Sequence, residues 1–172
     1  MKFSFLLILL ISASSCSRKS DSVLFQEGKT FEDQKDYQQA AERYEEIVDR
    51  FAGQAYAESS LSRLAVIYNN EVKDTRKAVY TYQRYYTMFP ASKEAPTMLF
   101  LSGFLYNNEL HNLDSARMAY ESFIQKYPNH ELAPSAKFEL ENLGKDPNQA
   151  LETRLSPSVQ PDSEQHKKES AK

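Results

Sequence analysis

The side chains best suited to chemistry are three histidines, a group of carboxylates and a single cysteine. His111 falls in a turn between predicted helices, His130 in a loop after Pro128, and His166 in the C-terminal stretch. None of them forms a His-x-x-x-His pair, and the chain contains no phosphate-binding glycine loop or nucleophile elbow. We therefore interpret the histidines as solvated loop residues rather than metal ligands or general bases.

The carboxylates lie on the outward face of a predicted amphipathic helix, as Glu42, Glu45, Glu46 and Asp49. A solvated helix face explains them better than a catalytic dyad or a calcium site does. The chain is 41% hydrophobic with a net charge of −3, which indicates a folded protein and argues against a dedicated nucleic-acid binder. We expect no enzymatic activity, no metal, no cofactor, no nucleic-acid partner and no small-molecule substrate.

The cysteine, Cys16, follows a short apolar segment at the start of the chain. Nine residues from Phe3 to Ile11, interrupted only by Ser4, come after Lys2 and before a run of small residues. This order is typical of a secretory signal peptide, and the segment is too short to span a membrane, which takes about 17–25 residues. We expect residues 1–15 to be removed. A lone cysteine excludes an intrachain disulfide and a cysteine-based zinc site.

The residues Ala13-Ser14-Ser15-Cys16 resemble the lipobox of bacterial lipoproteins. The resemblance implies that Cys16 becomes the first residue of the mature chain and carries covalent lipid, with residues 16–21 as a tether. Ser17, in place of an aspartate, implies an outer-membrane location. The alternative is an ordinary signal peptide cleaved nearby, which leaves a free thiol.

The rest of the chain repeats with a period of 38 residues, which is a signature of stacked helical units. The string Tyr-Asn-Asn-Glu occurs at 68–71 and again at 106–109. Four further sets keep the same spacing, namely Phe51, Phe89 and Tyr127; Ala40, Ala78 and Ala116; Tyr44, Tyr82 and Tyr120; and Ala57, Ala95 and Ala133.

Helical spacing of the apolar residues predicts two helices in each unit. Suitable N-terminal caps for the second helices are Asp36, Asp74 and Asp114. Pro90 and Pro128 end two of these helices at the preceding aromatic residue. A seventh helix, within 131–143 and beginning after Pro134, is expected to cap the last pair. Residues 144–172 hold three prolines and no aromatic residue, which favours a disordered tail.

These units resemble the tetratricopeptide repeat over about residues 22–143. The small residue of its first helix matches Gly28, Ala65 and Gly103, and the small and aromatic residues of its second helix match the alanine and tyrosine sets above. The resemblance implies an all-α, right-handed α-solenoid of three helix pairs plus a capping helix. The repeats would cover about 22–53, 54–91 and 92–129.

In this repeat family the first helices line a concave groove. The resemblance therefore implies an inward-facing set with an apolar floor beside a ladder of asparagines, suited to an extended peptide. Its members are Phe25, Lys29, Glu32, Asp33, Ser62, Val66, Asn69, Asn70, Phe100, Phe104, Asn107 and Asn108. The alternative for Asn70 and Asn108 is that each ends its helix in the left-handed conformation, which asparagine tolerates.

A lipidation signal followed by repeats that end in Phe-Pro or Tyr-Pro looks like the BamD-type outer-membrane assembly lipoproteins. It is also similar to the periplasmic repeat protein that coordinates the Tol-Pal system. The resemblance implies a membrane-anchored, periplasm-facing scaffold of the bacterial cell envelope, whose partners are envelope proteins or extended peptide segments. The alternative is a peptidoglycan- or glycan-binding module in which tyrosines stack on sugars.

Overall fold

A computed structural model describes residues 19–145 of the chain, and this part is entirely α-helical. The predicted all-α class and the seven α-helices are confirmed, with no strand between residues 19 and 145; the handedness of the solenoid stays a prediction. The helices are α1 Asp21–Asp33, α2 Tyr37–Arg50, α3 Ala57–Val66, α4 Thr75–Met88, α5 Ala95–Asn108, α6 Leu113–Lys126 and α7 Ala133–Glu141. A π-helical segment, Ile67–Glu71, continues α3.

Several predicted features lie outside the described residues. They are the signal peptide at 1–15, the lipidation site Cys16, the first residues of the tether and the tail from residue 146. Among the helices that are described, none is both long enough and apolar enough to cross a membrane.

The 38-residue period recurs in the backbone at the start of α2, α4 and α6. Each of these helices is capped by a side chain that accepts a hydrogen bond from the amide three residues later: Asp36 at 3.2 Å, Asp74 at 3.0 Å and Asn112 at 3.1 Å. The residue before each cap has a positive φ, at Lys35, Lys73 and His111. The caps predicted at Asp36 and Asp74 are confirmed. The cap predicted at Asp114 is wrong, because Asp114 lies in the first turn of α6 and Asn112 holds the cap position.

The cap assignment in α6 gives a testable difference between two neighbouring residues. Asn112→Ala is expected to lower the free energy of unfolding by about 1 kcal/mol, because it leaves the Ser115 amide without its acceptor. Asp114→Ala removes only a first-turn charge, so we expect about 0.3–1 kcal/mol at low salt and less at high salt. Urea unfolding at two salt concentrations measures both. A larger loss for Asp114→Ala at high salt would contradict the assignment.

The same period recurs where these helices end. The backbone amides of Phe51, Phe89 and Tyr127 each donate to the carbonyl four residues earlier, all at 2.8 Å, and the next residue leaves the helix. In two of the three cases that next residue is proline, as predicted. The last helix, α7, begins at Ala133 rather than after Pro134, because proline is tolerated in the first turn of a helix.

The chain divides into two compact units, with the boundary between Lys73 and Asp74. In the first unit α1 packs on α2 and α2 packs on α3. Gly28 of α1 lets the two helices approach closely, since a Cβ atom there would lie 2.7 Å from Cε1 of the buried Tyr44.

In the second unit, α4 packs on α5, α5 on α6 and α6 on α7. Its core joins α5, α6 and α7 through Leu99, Tyr120, Phe123 and Ala136. The predicted capping role of α7 is thus visible as packing against α6. Gly103 has the same function here as Gly28 has in the first unit, because its Cβ position lies 2.9 Å from Cε1 of Tyr120.

Candidate partner-binding site

The predicted groove residues are divided between the two units. Eight of the twelve positions belong to the first unit, on α1, α3 and the π-helical segment, and four belong to α5 of the second unit.

In the first unit, Phe25 contributes to an aromatic cluster rather than to an open floor. Its ring centroid lies 5.5 Å from that of Tyr44 and 4.8 Å from that of Tyr56, and the side chain is only partly exposed. Lys29 and Ser62 are also partly exposed, whereas Asp33 is exposed. Phe25 therefore supports the packing of α1, and any partner would contact only its outer edge.

Glu32 forms an ion pair that sequence reasoning did not identify. Its Oε2 atom accepts a hydrogen bond from the Arg63 guanidinium of α3 at 3.2 Å, and the Glu32 side chain is 19% exposed. Burial, followed by the neighbouring Glu32 carboxylate, raises the pKa of Tyr44. Glu32 is therefore held within the unit by the Arg63 guanidinium, with its carboxylate near Tyr44. The family pattern marks the position of Glu32 but contains no information about Arg63.

Val66 and the two asparagines that follow are more accessible. Val66 is 51% exposed at the end of α3, and the π-helical segment then carries Asn69 and Asn70. The Asn69 amide donates to the Asn70 side-chain oxygen at 2.7 Å. Beneath them, Tyr68 is buried and its hydroxyl donates to Glu45 of α2 at 3.4 Å. Tyr68 thus fixes the segment to α2 while the asparagines point away from the core.

In the second unit, Phe100 resembles Phe25 in its surroundings. Its ring lies 5.8 Å from Tyr120 and 6.0 Å from Phe123, which places it against the core. Phe104, one turn later, is 38% exposed. Asn107 is partly exposed, and the Asn108 amide donates to the Phe104 carbonyl oxygen at 2.9 Å.

The left-handed alternative for Asn70 and Asn108 is wrong. Positive φ angles occur three residues after each of them, at Lys73 and His111. Asn108 is the last residue of α5, and Asn70 lies inside the π-helical segment. Neither asparagine therefore has a backbone role in the left-handed region that would explain its presence.

The structure thus brings the same three-residue arrangement into each unit. An exposed apolar side chain, Val66 or Phe104, is followed three and four positions later by asparagines. In α5, residues at i, i+3 and i+4 share a face of the α-helix. In the first unit, Asn69 and Asn70 follow Val66 in the π-helical segment and are partly exposed and exposed, respectively. Each unit therefore presents a small apolar surface next to amide groups, which suits binding of a peptide by side-chain burial and backbone hydrogen bonds.

The residues considered for metal or acid–base chemistry do not come together. Among residues 19–145, no three histidine, cysteine or carboxylate side chains are placed to hold a metal ion. His130 is only partly exposed. Its ring packs edge-on against Phe123 at 5.6 Å, and its Nδ1 atom accepts a hydrogen bond from the Leu132 amide at 3.2 Å. It is therefore a loop-packing residue rather than a fully solvated one.

Comparison with known proteins identifies the family. No curated protein matches the sequence. A family model described as YfiO, outer membrane lipoprotein, matches residues 17–147, which include all the groove residues and every described helix. The matched range is about three quarters of the chain and ends close to the last described residue. The chain therefore belongs to the YfiO family of outer-membrane lipoproteins, which gives it an envelope location and a protein-interaction role at the outer membrane.

Proposed function

We propose that the protein is a lipid-anchored, periplasm-facing scaffold that binds extended peptide segments of other envelope proteins. Cys16 carries the lipid, and the inward-facing residues of the first helices contact the partner. The protein acts by binding alone, with no catalytic step and no cofactor apart from the covalent lipid.

The observation that carries this proposal is the repeated arrangement of an exposed apolar residue with two asparagines. Val66 and Phe104 are 51% and 38% exposed, and they lie 38 residues apart at the same position of the repeat. Burial of a fully exposed side chain of this type contributes about 1.5–3 kcal/mol, and burial of the exposed part of Val66 or Phe104 contributes a corresponding fraction. Each asparagine amide both donates and accepts, as the backbone of an extended peptide requires.

The contacts within each unit also divide the predicted groove into two classes. Phe25 and Phe100 pack against the tyrosines of the second helices, and Glu32 is paired with Arg63. These residues shape the surface. Val66 and Phe104, with the asparagines beside them, retain the exposed area that a partner needs, and we assign direct contact to them.

The glycan-binding alternative receives less support from the burial of the tyrosines. Five of the eleven tyrosine rings are in the core: Tyr44, Tyr68, Tyr82, Tyr85 and Tyr120 are all at most 5% exposed. On α4, Tyr80 is 59% exposed and Tyr86 is partly exposed. Among the tyrosines of residues 19–145, Tyr80 alone is mostly exposed, which gives little basis for recognition of a polymer.

Site-specific photo-crosslinking in intact membranes tests the peptide-binding proposal. A benzophenone amino acid is placed at position 66 or 104, with position 118 of α6 as the control, since Met118 is apolar and 70% exposed. We expect crosslinks to an envelope protein from positions 66 and 104 and none from position 118, with mass spectrometry identifying the crosslinked peptide. Equal crosslinking from all three positions, or none above background, would refute the proposal.

The asparagines are tested separately with the partner that crosslinking identifies. The double variant Asn69→Ala with Asn107→Ala is expected to weaken binding about tenfold, the effect of losing one or two hydrogen bonds. The control is Gln83→Ala, which removes an exposed side-chain amide from α4. Asn112 is not used as a control because its side chain caps α6. Unchanged affinity in the double variant would remove the amide contacts from the proposal.

A further inference from the structure

A shallow depression lies where α1 begins and α2 ends. It has a volume of about 400 Å³ and is lined by Lys19, Ser20, Arg50 and Phe51. Two of its four residues are cations, and they come from parts of the chain 31 residues apart. The fold therefore brings positive charge together at one end of the α1–α2 pair, close to the start of the described chain.

Neither Lys19 nor Arg50 uses all of its hydrogen-bond donors. Lys19 Nζ contacts Glu27 Oε1 at 2.5 Å, and Arg50 is paired with Glu46, with side-chain exposures of 50% and 33%. A lysine has three N–H donors and an arginine has five. Each side chain uses only part of this capacity within the described residues, so each can bind a further anionic oxygen.

The neighbouring charges keep both cations in place. Arg43 lies between the two carboxylates, with Nε 3.9 Å from Glu27 Oε2 and Nη1 3.4 Å from Glu46 Oε2. The Arg50 guanidinium also lies over the Phe51 ring, 4.9 Å from its centroid, and such a contact adds about 0.5–1 kcal/mol at an exposed site. The depression thus presents two positioned cations rather than two independent flexible side chains.

The N-terminal end of α1 also favours binding of an anion in the depression. Ser20 caps this helix, with its Oγ accepting from the Val23 amide at 3.3 Å. The N-terminal end of a helix carries a partial positive charge, which stabilises an anion nearby. This contribution reinforces the two cations, which carry the argument.

The position of Lys19, close to Cys16 in the sequence, indicates which anion the depression can reach. Only residues 17 and 18 separate Lys19 from Cys16, so the two Cα atoms are at most about 11 Å apart. This step rests on the proposed function, in which Cys16 carries the membrane lipid. Each headgroup region of a bilayer is about 5–8 Å thick. A lipid on Cys16 therefore holds Lys19 within or directly above the phosphate layer.

We propose that this depression binds the phosphate group of a phospholipid headgroup and holds the α1–α2 end of the first unit against the membrane. Lysine and arginine side chains both bind phosphate through charge-assisted hydrogen bonds. The surface around Lys19, Ser20, Arg50 and Phe51 then acts as a second membrane contact beside the lipid itself. It fixes the orientation of the first unit, which the short tether at 16–21 alone leaves variable.

The test uses the full lipidated chain in vesicles of phosphatidylethanolamine and phosphatidylglycerol. A spin label is attached at Ala52→Cys, because Ala52 is exposed and directly follows Phe51, and the ³¹P relaxation of the vesicle phosphates is measured. We expect strong relaxation enhancement from this label. The enhancement should be clearly weaker in the double variant Lys19→Gln with Arg50→Gln. It should be unchanged in the matched control Lys35→Gln with Lys73→Gln, which removes the same charge from two exposed residues.

The outcomes separate this proposal from the proposed function. Mass spectrometry first establishes whether Cys16 carries lipid, and circular dichroism whether each variant is folded. With lipid present, equal enhancement in the Lys19/Arg50 variant and the control would overturn the headgroup site and leave the anchor intact. Binding of inorganic phosphate in detergent micelles, without enhancement in vesicles, would assign the depression to soluble anions and also overturn it. A Cys16 without lipid would remove both the anchor and the headgroup site.

Discussion

Replacing Phe123 with alanine is expected to lower the free energy of unfolding by about 3–5 kcal/mol. Phe123 is fully buried in α6. Its ring lies 6.0 Å from Phe100, 5.5 Å from Tyr127 and 5.6 Å from His130. The alanine would leave a cavity at the point where α5, α6 and the loop before α7 meet, and this cost is a large part of the stability of a small protein.

Urea unfolding followed by circular dichroism measures the effect. Met118→Ala is the matched control, because Met118 lies on the same helix and is 70% exposed. We expect the control to change the free energy of unfolding by no more than about 0.5 kcal/mol. Similar losses in the two variants would contradict the central position of Phe123. The slope of the free energy of unfolding against urea concentration must be the same in both variants, so that the comparison reports stability rather than a change of the unfolded state.

Phe123 is also an example of what the sequence predicts well. Its place in the core follows from the helical stripe that contains Ala116 and Tyr120, and both of these residues are fully buried as well. The period of 38 residues extends that interpretation to the other repeats, since Ile47 and Tyr85 are buried at the positions equivalent to Phe123. Burial at helical spacing is a property of many residues together, so a single sequence is enough to predict it.

At the start of α6, residue type alone does not predict which residue caps the helix. Asn112 and Asp114 are both good N-cap residues, and both precede the apolar stripe. The choice between them depends on the turn before the helix. His111 has a φ of 50°, which places the Asn112 side chain, and not that of Asp114, over the first amides. The equivalent turns at Lys35 and Lys73 have the same geometry, so the 38-residue period would have predicted Asn112 correctly.

The repeated Tyr-Asn-Asn-Glu string marks a second limit. It forms part of a π-helical segment at 68–71, whereas α5 continues through Asn108 in its second occurrence. The tertiary surroundings of the two tyrosines differ: Tyr68 is buried and bonded to Glu45, and Tyr106 packs partly buried against the core of the second unit. Identical local sequence therefore does not fix local geometry, because tertiary contacts contribute as much as intrinsic propensity does.

Part of the candidate site is predicted by the sequence, and part depends on tertiary contacts. The repeat resemblance correctly selects Val66 and Phe104 as exposed apolar residues of the first helices. It does not distinguish them from Phe100, one turn before Phe104, or from Phe25 of α1, and both of these rings pack on tyrosines. Such a distinction requires the distance between α1 and α2 or between α5 and α6. The glycines of α1 and α5 set those distances, and they are therefore the positions where a small sequence change has the largest structural effect.

Gly28→Leu is expected to lower the free energy of unfolding by about 3 kcal/mol, at the upper end of the cost of overpacking. A Cβ atom at position 28 would lie 2.7 Å from Tyr44 Cε1, 2.8 Å from Cζ and 3.1 Å from Cδ1. Tyr44 is fully buried and its hydroxyl lies next to Glu32, so the ring has little space into which to move. The gain in helix propensity over glycine, about 1 kcal/mol, offsets only part of this clash.

The matched control is Gly53→Leu, because a Cβ atom at position 53 has nothing within 4 Å and the residue does not have a positive φ. We expect a change of no more than about 0.5 kcal/mol there. The double variant Gly28→Leu with Tyr44→Ala removes the ring that causes the clash, so its loss of stability should be smaller than the sum of the two single losses. Additive losses, or equal losses at positions 28 and 53, would show that close contact between Gly28 and Tyr44 does not limit the packing of α1 on α2.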